Sequence, residues 1–224
     1  MCGRFAITLP PDAMAQLFEA RPANDLPDVP NFNVCPTNQI HVIRAPGEAE
    51  EMRSLEAMRW GLIPHWYKTP NDGPLLINAR AESVAEKPAF RSAVRTRRCL
   101  IPASGFYEWT KDTEDNRLPW YIQRADGAPI VFAGLWQDWG KDEEAGPMRT
   151  AAILTCGAGP DIAEIHHRMP VILEAENWAR WLGETEGKAA PLMAPAPDGT
   201  LTAYRVDPKV NSNRAKGPDL IEPL

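Results

Sequence analysis

Short β-rich runs, separated by charged or Gly/Pro-rich segments, recur along the chain and constrain its fold more than any other feature. Two of the separating segments, Lys111–Asn116 and Gly140–Pro147, are typical of hairpin connections. The predicted strands are Arg4–Thr8, Ile40–Arg44, Arg97–Pro102, Phe106–Thr110, Trp120–Arg124, Ile130–Trp139, Arg149–Cys156, Val171–Leu173 and Leu201–Val206. Because these runs do not alternate with long helices, they predict an α+β fold on a mainly antiparallel β-sheet core, barrel-like or sandwich-like.

Helical spacing is confined to a few stretches, so the sequence predicts only short helices at the flanks of the sheet. One helix follows Pro10, because Pro11 suits the first helical position, and a second covers Glu174–Leu182. Two shorter helices are expected around Ala81–Glu86 and Ala89–Val94. The apolar side chains expected to face the core are Met14, Leu17 and Phe18 in the first helix and Trp178, Trp181 and Leu182 in the second.

Length and composition favour a single domain that covers residues 1–224. A chain of 224 residues, 44% of them hydrophobic, can bury one substantial core. The tail after Val206 is polar but ends in Leu220, Ile221 and Leu224, so we expect it to pack back onto the domain.

The four cysteines are widely spaced and form no Cys-x-x-Cys pair, which disfavours a disulfide framework. The sequence also has no His/Cys cluster with metal-ligand spacing, so we expect neither a metal nor another cofactor. The first residues lack the apolar stretch of a signal peptide, and the longest apolar run, Pro129–Trp136, is too short to cross a membrane. These observations predict a cytoplasmic protein with no membrane partner.

Cys2 is the first residue with distinctive chemistry, since removal of Met1 would make it a 1,2-aminothiol. Its amine and thiol titrate near pH ~8 and ~8.5 in model compounds, so both nucleophiles are partly available at neutral pH. An aldehyde would form an imine with the amine, and the adjacent thiol would then close a five-membered thiazolidine ring. The alternative interpretation is a buried, inert cysteine.

Glu108 and two adjacent histidines are candidate acid/base groups. On a strand, Glu108 would point away from the face of Tyr107 and Trp109, either as a solvated residue or as a proton shuttle with raised pKa. His166 and His167 precede an apolar strand, and on an extended chain they would face opposite ways. At most one imidazole is therefore expected to enter a given pocket, and the other interpretation is a hydrogen-bonded loop histidine.

Asn78, Arg80 and Glu82 alternate, so an extended segment would place all three on one face, as a polar ligand site or as a solvent-facing edge. The net charge of −6 argues mildly against a nucleic-acid partner. A local patch of Arg4, Arg80 and Arg168 could nevertheless hold phosphates. The large rings of Trp60, Trp66 and Tyr67 could stack on bases of a single strand, although most of the tryptophans are expected in the core.

Several motifs together resemble one family over nearly the whole chain, in the order that the family has them. They are Met1–Phe5 (MCGRF), Phe32–Pro36 (FNVCP), Trp60–Pro64 (WGLIP), Ile77–Glu82 (INARAE), Cys99–Trp109 (CLIPASGFYEW) and Ile165–Pro170 (IHHRMP). On these motifs, the chain resembles the SOS-response-associated peptidase (SRAP) family. One departure is His167, where the family often has an acidic residue.

The resemblance implies a single SRAP-like domain that senses and shields abasic sites in single-stranded DNA, including single-strand/double-strand junctions, at stalled replication. It implies that Cys2 forms the thiazolidine, that Asn78 orients the sugar, and that Glu108 and His166 move protons. It further implies DNA contacts from Arg4, Asn33, Pro36, Trp66, Arg80 and Arg168. The family name implies a thiol peptidase or lyase-like activity, of which self-removal of Met1 is the reaction that the residues suggest. We expect a monomer associated with the nucleoid.

Three other function classes stay open at the level of sequence. One is a true cysteine protease, which would need Cys2 paired with His166 and would cleave peptides in trans. An N-terminal-nucleophile glutamine amidotransferase also begins with Cys-Gly, but such enzymes use an Asn-Gly pair, and this sequence contains no Asn-Gly dipeptide. A non-covalent single-stranded DNA-binding module would use Cys2 only structurally. Resistance of the DNA complex to denaturation distinguishes the covalent function from this module, and a glutaminase assay tests the amidotransferase.

Overall fold

The computed structural model describes residues 2–47, 50–140 and 147–224. The strands of these residues are β1 (Phe5–Ile7), β2 (Ala20–Pro22), β3 (Asn31–Val34), β4 (Gln39–Arg44), β5 (Arg53–Trp60), β6 (Asn78–Arg80), β7 (Arg98–Ala103), β8 (Gly105–Lys111), β9 (Arg117–Arg124), β10 (Ile130–Trp139), β11 (Met148–Gly157), β12 (Arg168–Pro170) and β13 (Leu201–Arg205). The α-helices are α1 (Pro11–Leu17), α2 (Ala93–Thr96) and α3 (Trp178–Leu182). Short 3₁₀ turns cover Pro160–Ile162, Ala175–Asn177, Ala190–Leu192, Pro208–Asn211 and Pro218–Ile221. The predicted α+β class with short flanking helices is confirmed.

Five strands of the larger sheet close into a barrel, in the order β4, β5, β11, β10 and β7, with β7 returning to β4. These pairs are antiparallel except for β5 with β11, so the mainly antiparallel prediction holds. Closure leaves the barrel without a free sheet edge. Buried side chains such as Ile43, Leu100 and Phe132 belong to one continuous hydrophobic core. β6 and β12 add to β11, and β2 adds to β5.

The smaller sheet has five strands in the order β13, β9, β8, β1 and β3, and it is covered on both faces. On one face, Phe5 and Phe106 are directly opposite each other and join the main core. On the other face, Tyr107 and Tyr121 belong to a second, smaller cluster. Because side chains alternate along a strand, Glu108 lies on the core face together with Phe106, as the sequence predicts.

Residues 206–224 form a C-terminal strap over the second face of this sheet. Val206, Val210 and Leu220 are fully buried in the smaller cluster. Tyr107 donates its hydroxyl to the Phe32 carbonyl (2.7 Å) and lies 3.4 Å from the Leu220 carbonyl. The tail therefore packs back as predicted, but Leu224 is 75% exposed and does not contribute to this packing.

Two predictions about strands need correction. The strand predicted at Val171–Leu173 is β12, three residues earlier, because the chain pairs with β11 at Arg168 and then crosses to β10, where Ile172 forms a single bridge with Phe132. Strands β2, β3, β5 and β6 were not predicted.

The hairpin from β8 to β9 across Lys111–Asn116 is confirmed by the pair of Lys111 with Arg117. Within Gly140–Pro147, residues 141–146 lie outside the described residues, although β10 and β11 on either side pair antiparallel.

The helix predictions are correct in part. α1 begins with proline at its first position, and Met14 and Phe18 are buried, but Leu17 is 42% exposed. The predicted helix over Glu174–Leu182 is a 3₁₀ turn followed by α3. Residues 81–92 lie in turns and a bend, so the helix predicted around Ala81–Glu86 is not formed. Of the helix predicted around Ala89–Val94, only Ala93 and Val94 are helical, at the start of α2. Among the described residues, no helix is long and apolar enough to span a membrane.

Candidate active site

Four separate segments bring the predicted catalytic residues together where the smaller sheet meets the barrel. Cys2 precedes β1, and Glu108 lies on β8, which pairs with β1. Asn78 begins β6, and His166 precedes β12, and both of these strands pair with β11. The sheet pairing therefore converts four distant sequence positions into neighbours.

Cys2 is completely buried, and its thiol lies 3.9 Å from the carbonyl oxygen of Arg4. Burial raises the pKa of this thiol well above its usual value, and the charge of Glu108 raises it further. The thiol is therefore neutral at physiological pH and needs a nearby base before it can attack an electrophile. The chemistry of the site depends on which group supplies that base.

Asn78 contacts the Cys2 segment directly. Its side-chain Nδ2 donates to the Cys2 carbonyl at 2.8 Å, while its buried Oδ1 has no hydrogen-bond partner among the described residues. A buried acceptor of this kind costs roughly 1–3 kcal/mol unless a ligand or water satisfies it. Asn78 thus anchors the reactive segment with one atom and offers the other atom to a donor.

Glu108 and His166 form the titratable pair of the site. Glu108 is 3% exposed, and burial raises the pKa of its carboxyl, whereas the charges of His167 and Arg117 oppose this shift. The Nε2 atom of His166 lies 3.9 Å from the Glu108 Oε2 atom. Burial lowers the pKa of His166, so its imidazole is mainly neutral at neutral pH. A carboxyl with raised pKa beside a neutral imidazole suits proton transfer in either direction.

The backbone of Arg168 accommodates both protonation states of His166. Its N–H and its carbonyl oxygen both lie 3.0 Å from the His166 Nδ1 atom. A neutral ring with the proton on Nε2 accepts from the N–H, and a protonated ring donates to the carbonyl. His166 can therefore gain and lose a proton while Nδ1 keeps a hydrogen-bond partner.

The expectation that His166 and His167 face opposite ways is wrong. The two rings stack with centroids 4.4 Å apart and an interplanar angle of 26°. The reason is local backbone structure, since these residues lie in a turn before β12 rather than in an extended strand. His167 is thus part of the surroundings of His166 and influences Glu108 electrostatically.

Arg4 and Asn33, both predicted as DNA contacts, are connected to each other and to the C-terminal strap. Arg4 Nη1 donates to Asn33 Oδ1 (2.7 Å) and to the Val210 carbonyl (2.9 Å). The amide Nδ2 of the buried Asn33 donates to the carbonyls of Ser212 (3.1 Å) and Ala215 (2.8 Å). These bonds give both residues a structural role, and their contact with DNA stays a prediction.

Arg80 and Trp66 lie on the outer side of the site. Both line an apolar cavity of about 430 Å³ that also includes Asn78, so the cavity lies beside the Cys2 segment. Trp66 is 48% exposed, and Arg80 is exposed, with a guanidinium that makes no hydrogen bond to another described residue. Pro36 occupies a turn between β3 and β4, half-buried. An exposed ring and an exposed guanidinium fit the predicted DNA contacts better than the other candidates do.

Arg168 and Glu82 differ from the expected arrangement. Glu82 lies in the turn after β6 rather than on the face shared by Asn78 and Arg80. Its two carboxylate oxygens accept from Arg168 at 2.8 and 3.0 Å, and Arg168 also donates to the Thr155 carbonyl (2.7 Å). The guanidinium of Arg168 therefore holds the turn that carries His166, and its predicted phosphate contact stays untested.

Two further residues near the site were not predicted. The guanidinium of Arg117 lies 4.6 Å from the ring centroid of Trp109, and the Trp109 Nε1 atom donates to Asn211 Oδ1 at 2.6 Å. Arg117 also opposes the pKa shift of Glu108. The position of Trp109 next to Glu108 was visible in the sequence, but its partners come from β9 and the strap, which sequence order does not reveal.

Comparison with known proteins identifies the class. The family model described as "SOS response associated peptidase (SRAP)" matches residues 1–213, so the chain belongs to this family. The abasic site processing protein YoqW of Bacillus subtilis is 36% identical and covers 99% of both chains. The abasic site processing protein YedK of Escherichia coli is 30% identical over 100% of both chains. HMCES of Pongo abelii, also named an abasic site processing protein, is 27% identical over 100% of this chain and 76% of its own.

Solved structures have the same fold. A crystal structure of a protein from Bacteroides thetaiotaomicron matches with a TM-score of 0.83 at 23% identity and covers 100% of both chains. A second, from Bordetella bronchiseptica, matches with a TM-score of 0.77 at 27% identity and covers 92% of this chain and 100% of its own.

Proposed function

We propose that this protein processes abasic sites in single-stranded DNA by forming a covalent thiazolidine between Cys2 and the ring-opened deoxyribose. The observation that carries this proposal is the convergence of Asn78, Glu108 and His166 on one buried cysteine at position two. Relatives named abasic site processing proteins support the substrate class.

The reaction begins with hydrolysis of the Met1–Cys2 peptide bond, which converts the Cys2 nitrogen into an amine. Removal of Met1 by the chain itself is the peptidase activity that we propose. The amine adds to the C1′ aldehyde of the abasic sugar, and loss of one water gives an imine. The thiol then adds to the imine carbon, its proton passes to the nitrogen, and the five-membered ring closes. The ring needs both nucleophiles of an N-terminal cysteine, which no internal residue offers.

The side chains around Cys2 have distinct tasks in this sequence of steps. The buried Oδ1 of Asn78 accepts a hydrogen bond from the new amine or from a sugar hydroxyl. Glu108, whose pKa is raised by burial, donates the proton that turns the carbinolamine hydroxyl into water. In its protonated form, His166 delivers a proton from Nε2 to the ring oxygen as the sugar opens, and it is left as the neutral imidazole that burial favours. The Arg168 backbone provides a hydrogen-bond partner for Nδ1 in either protonation state.

Intact-mass spectrometry tests the proposal with a single-stranded oligonucleotide that contains one abasic site. We expect a denaturation-resistant adduct whose mass is that of the protein without Met1 plus the oligonucleotide minus one water. Cys2→Ala should abolish the denaturation-resistant adduct, because without the thiol the ring cannot close, although the amine of residue two remains. Cys2→Ser keeps the amine, so borohydride should trap an imine that does not otherwise persist.

The matched control is Cys35→Ala, which removes the half-buried thiol near the site but leaves the N-terminal aminothiol intact. It should form the adduct at the wild-type rate. An oligonucleotide whose abasic sugar has been reduced to an alcohol should give no adduct with either protein. Equal crosslinking by Cys2→Ala and wild type contradicts the proposal, and DNA binding without any adduct favours a non-covalent module.

A further inference from the structure

The C-terminal strap leaves a cleft against the loop before β3 and the start of β4. Its volume is about 520 Å³, within the range of small-molecule binding sites. The strap forms one wall with Asn213 and Lys216, and Asn31 and Gln39 lie on the other. None of the four candidate catalytic residues lines this cleft, which we call the strap cleft.

The lining of the strap cleft is rich in carboxamides, which is unusual for a merely solvated crevice. The amide side chains are Asn31, Asn33, Asn38, Gln39 and Asn213. Asn31 and Asn38 already use their amide oxygens to accept the backbone N–H groups of Asn33 (3.0 Å) and Cys35 (2.9 Å). Their NH₂ groups are thereby left as donors, and donors of this kind suit the carbonyl oxygens of a nucleobase or the oxygens of a phosphate.

Charge along the strap points to an anionic ligand. Lys216 lies on the cleft wall, exposed, and has no ion-pair partner among the described residues. Lys209, on the same strap, differs because Asp219 (3.1 Å) and Asp207 (3.9 Å) neutralise it. Asp28 also lines the cleft, and Lys216 is the lining residue whose charge suits a phosphate.

The strap cleft is connected to the reactive cysteine through two residues. Asn33 forms part of its wall and accepts from Arg4 Nη1 at 2.7 Å. The Arg4 carbonyl is in turn 3.9 Å from the Cys2 thiol. The strap cleft therefore adjoins the Arg4–Asn33 pair beside Cys2, whereas Trp66 and Arg80 line the separate cavity that includes Asn78.

From this geometry we propose that the strap cleft binds a nucleotide that flanks the abasic site, with Lys216 on its phosphate and the amides on its base. This assignment rests on the proposed function, since it names the position of the strand that enters the site. It makes the C-terminal strap a part of the DNA path as well as a cover for the sheet.

The test compares Lys216→Ala with Lys209→Ala, which removes the same charge from the same strap outside the cleft. Fluorescence anisotropy on single-stranded DNA without abasic sites should show a Kd about 3- to 10-fold higher for Lys216→Ala, and a salt slope flatter by about 0.7. Gln39→Ala should weaken binding without changing the slope. Lys209→Ala should stay within about 2-fold of wild type.

Crosslinking to abasic oligonucleotides that extend in only one direction provides the second readout. For Lys216→Ala, the DNA concentration that gives the half-maximal crosslinking rate should rise for the oligonucleotide that extends to one side of the abasic site and not for the other. The rate at saturating DNA should be unchanged. Equal behaviour of Lys216→Ala and Lys209→Ala in both assays overturns the assignment. A wild-type protein that binds DNA but forms no adduct instead overturns the covalent function, and the anisotropy data still decide on the cleft.

Discussion

His166 and Glu108, which we propose to transfer protons, are buried together by the fold, with 3.9 Å between Nε2 and Oε2. Burial moves the pKa of the carboxyl up and that of the imidazole down, so the two values approach each other. Similar pKa values minimise the free energy of proton exchange, which is what a reaction with several proton transfers needs. Neither shift is visible in the sequence, because each depends on residues that are distant along the chain.

The stacked histidines lead to a prediction that separates their roles. His166→Ala removes the imidazole that faces Glu108 and should slow crosslink formation by about 100-fold, the typical contribution of a positioned acid/base. His167→Ala should slow it less. Because the charge of His167 lowers the pKa of Glu108, removal of His167 should raise that pKa. The part of the pH–rate profile that reflects Glu108 should then move to higher pH. Single-turnover crosslinking from roughly pH 5.5 to 8.5, around the usual histidine pKa, measures both effects.

DNA affinity serves as the control for this pair of variants, and it should be nearly unchanged in both. A larger rate loss for His167→Ala than for His166→Ala would mean that the proton is carried by the other ring. A wild-type rate for both variants would assign the proton transfers to Glu108 alone.

At the scale of elements, the strands with plain aliphatic or aromatic runs could be predicted, and those with charges could not. β10 and β11 have nearly the predicted bounds. β5 was missed because Glu56 and two arginines interrupt its pattern, yet Glu56 is fully buried. Arg44 (2.6 Å) and Arg149 neutralise it from neighbouring strands. A charge can occupy a central strand when its partners come from other strands, and those partners are known only after folding.

Family motifs gave Cys2, Asn78, Glu108 and His166 as the candidate catalytic residues, and the structure brings the four together, while their catalytic roles stay predictions. What the motifs did not give was the orientation of long side chains. Arg168 matched the pattern of a phosphate contact but turns inward to Glu82. A guanidinium can reach several partners from one backbone position, so sequence alone does not determine which partner it takes.

The C-terminal strap gives a prediction at the same scale. Leu220 is fully buried, and Leu220→Ala should lower the free energy of unfolding by about 2–5 kcal/mol through the cavity that it leaves. Leu224→Ala, at a residue that is 75% exposed, is the matched control and should change it by at most about 0.5 kcal/mol. Urea denaturation measures both. Equal effects of the two variants would show that the strap does not pack on the sheet.

At the scale of the whole molecule, a net charge of −6 is compatible with a DNA partner because the charges are not evenly distributed. Many carboxylates lie in exposed turns and ion pairs, such as Asp126 with Arg124 (2.7 Å). Arg80 and Lys216, by contrast, have no acidic partner among the described residues and line two separate cavities. The net charge thus determines the electrostatic interaction with DNA at long range. The local distribution of charges determines which part of the surface would bind DNA.

Global stability should depend on the protonation of His41, a buried residue on β4 that the proposed reaction does not use. It is 2% exposed, and its Nε2 atom has no hydrogen-bond partner among the described residues. Burial lowers its pKa from 6.5 to about 4, and a hydrogen bond to the Pro27 backbone only partly opposes this shift. The imidazole is therefore neutral in the folded protein where the unfolded chain already binds a proton.

The sign of the pH dependence follows from that difference. Between pH 6.5 and about 4 the unfolded state binds more protons at His41 than the folded state does, so stability falls as the solution is acidified. From pH 7.5 to pH 5 the loss should be about 2 kcal/mol. His41→Gln should be less stable at pH 7.5 but should lose this part of the slope. His65→Gln, in an exposed loop, should keep it. Urea denaturation at a series of pH values measures the slopes, and the same slope in His41→Gln as in wild type would assign the acid sensitivity to other groups.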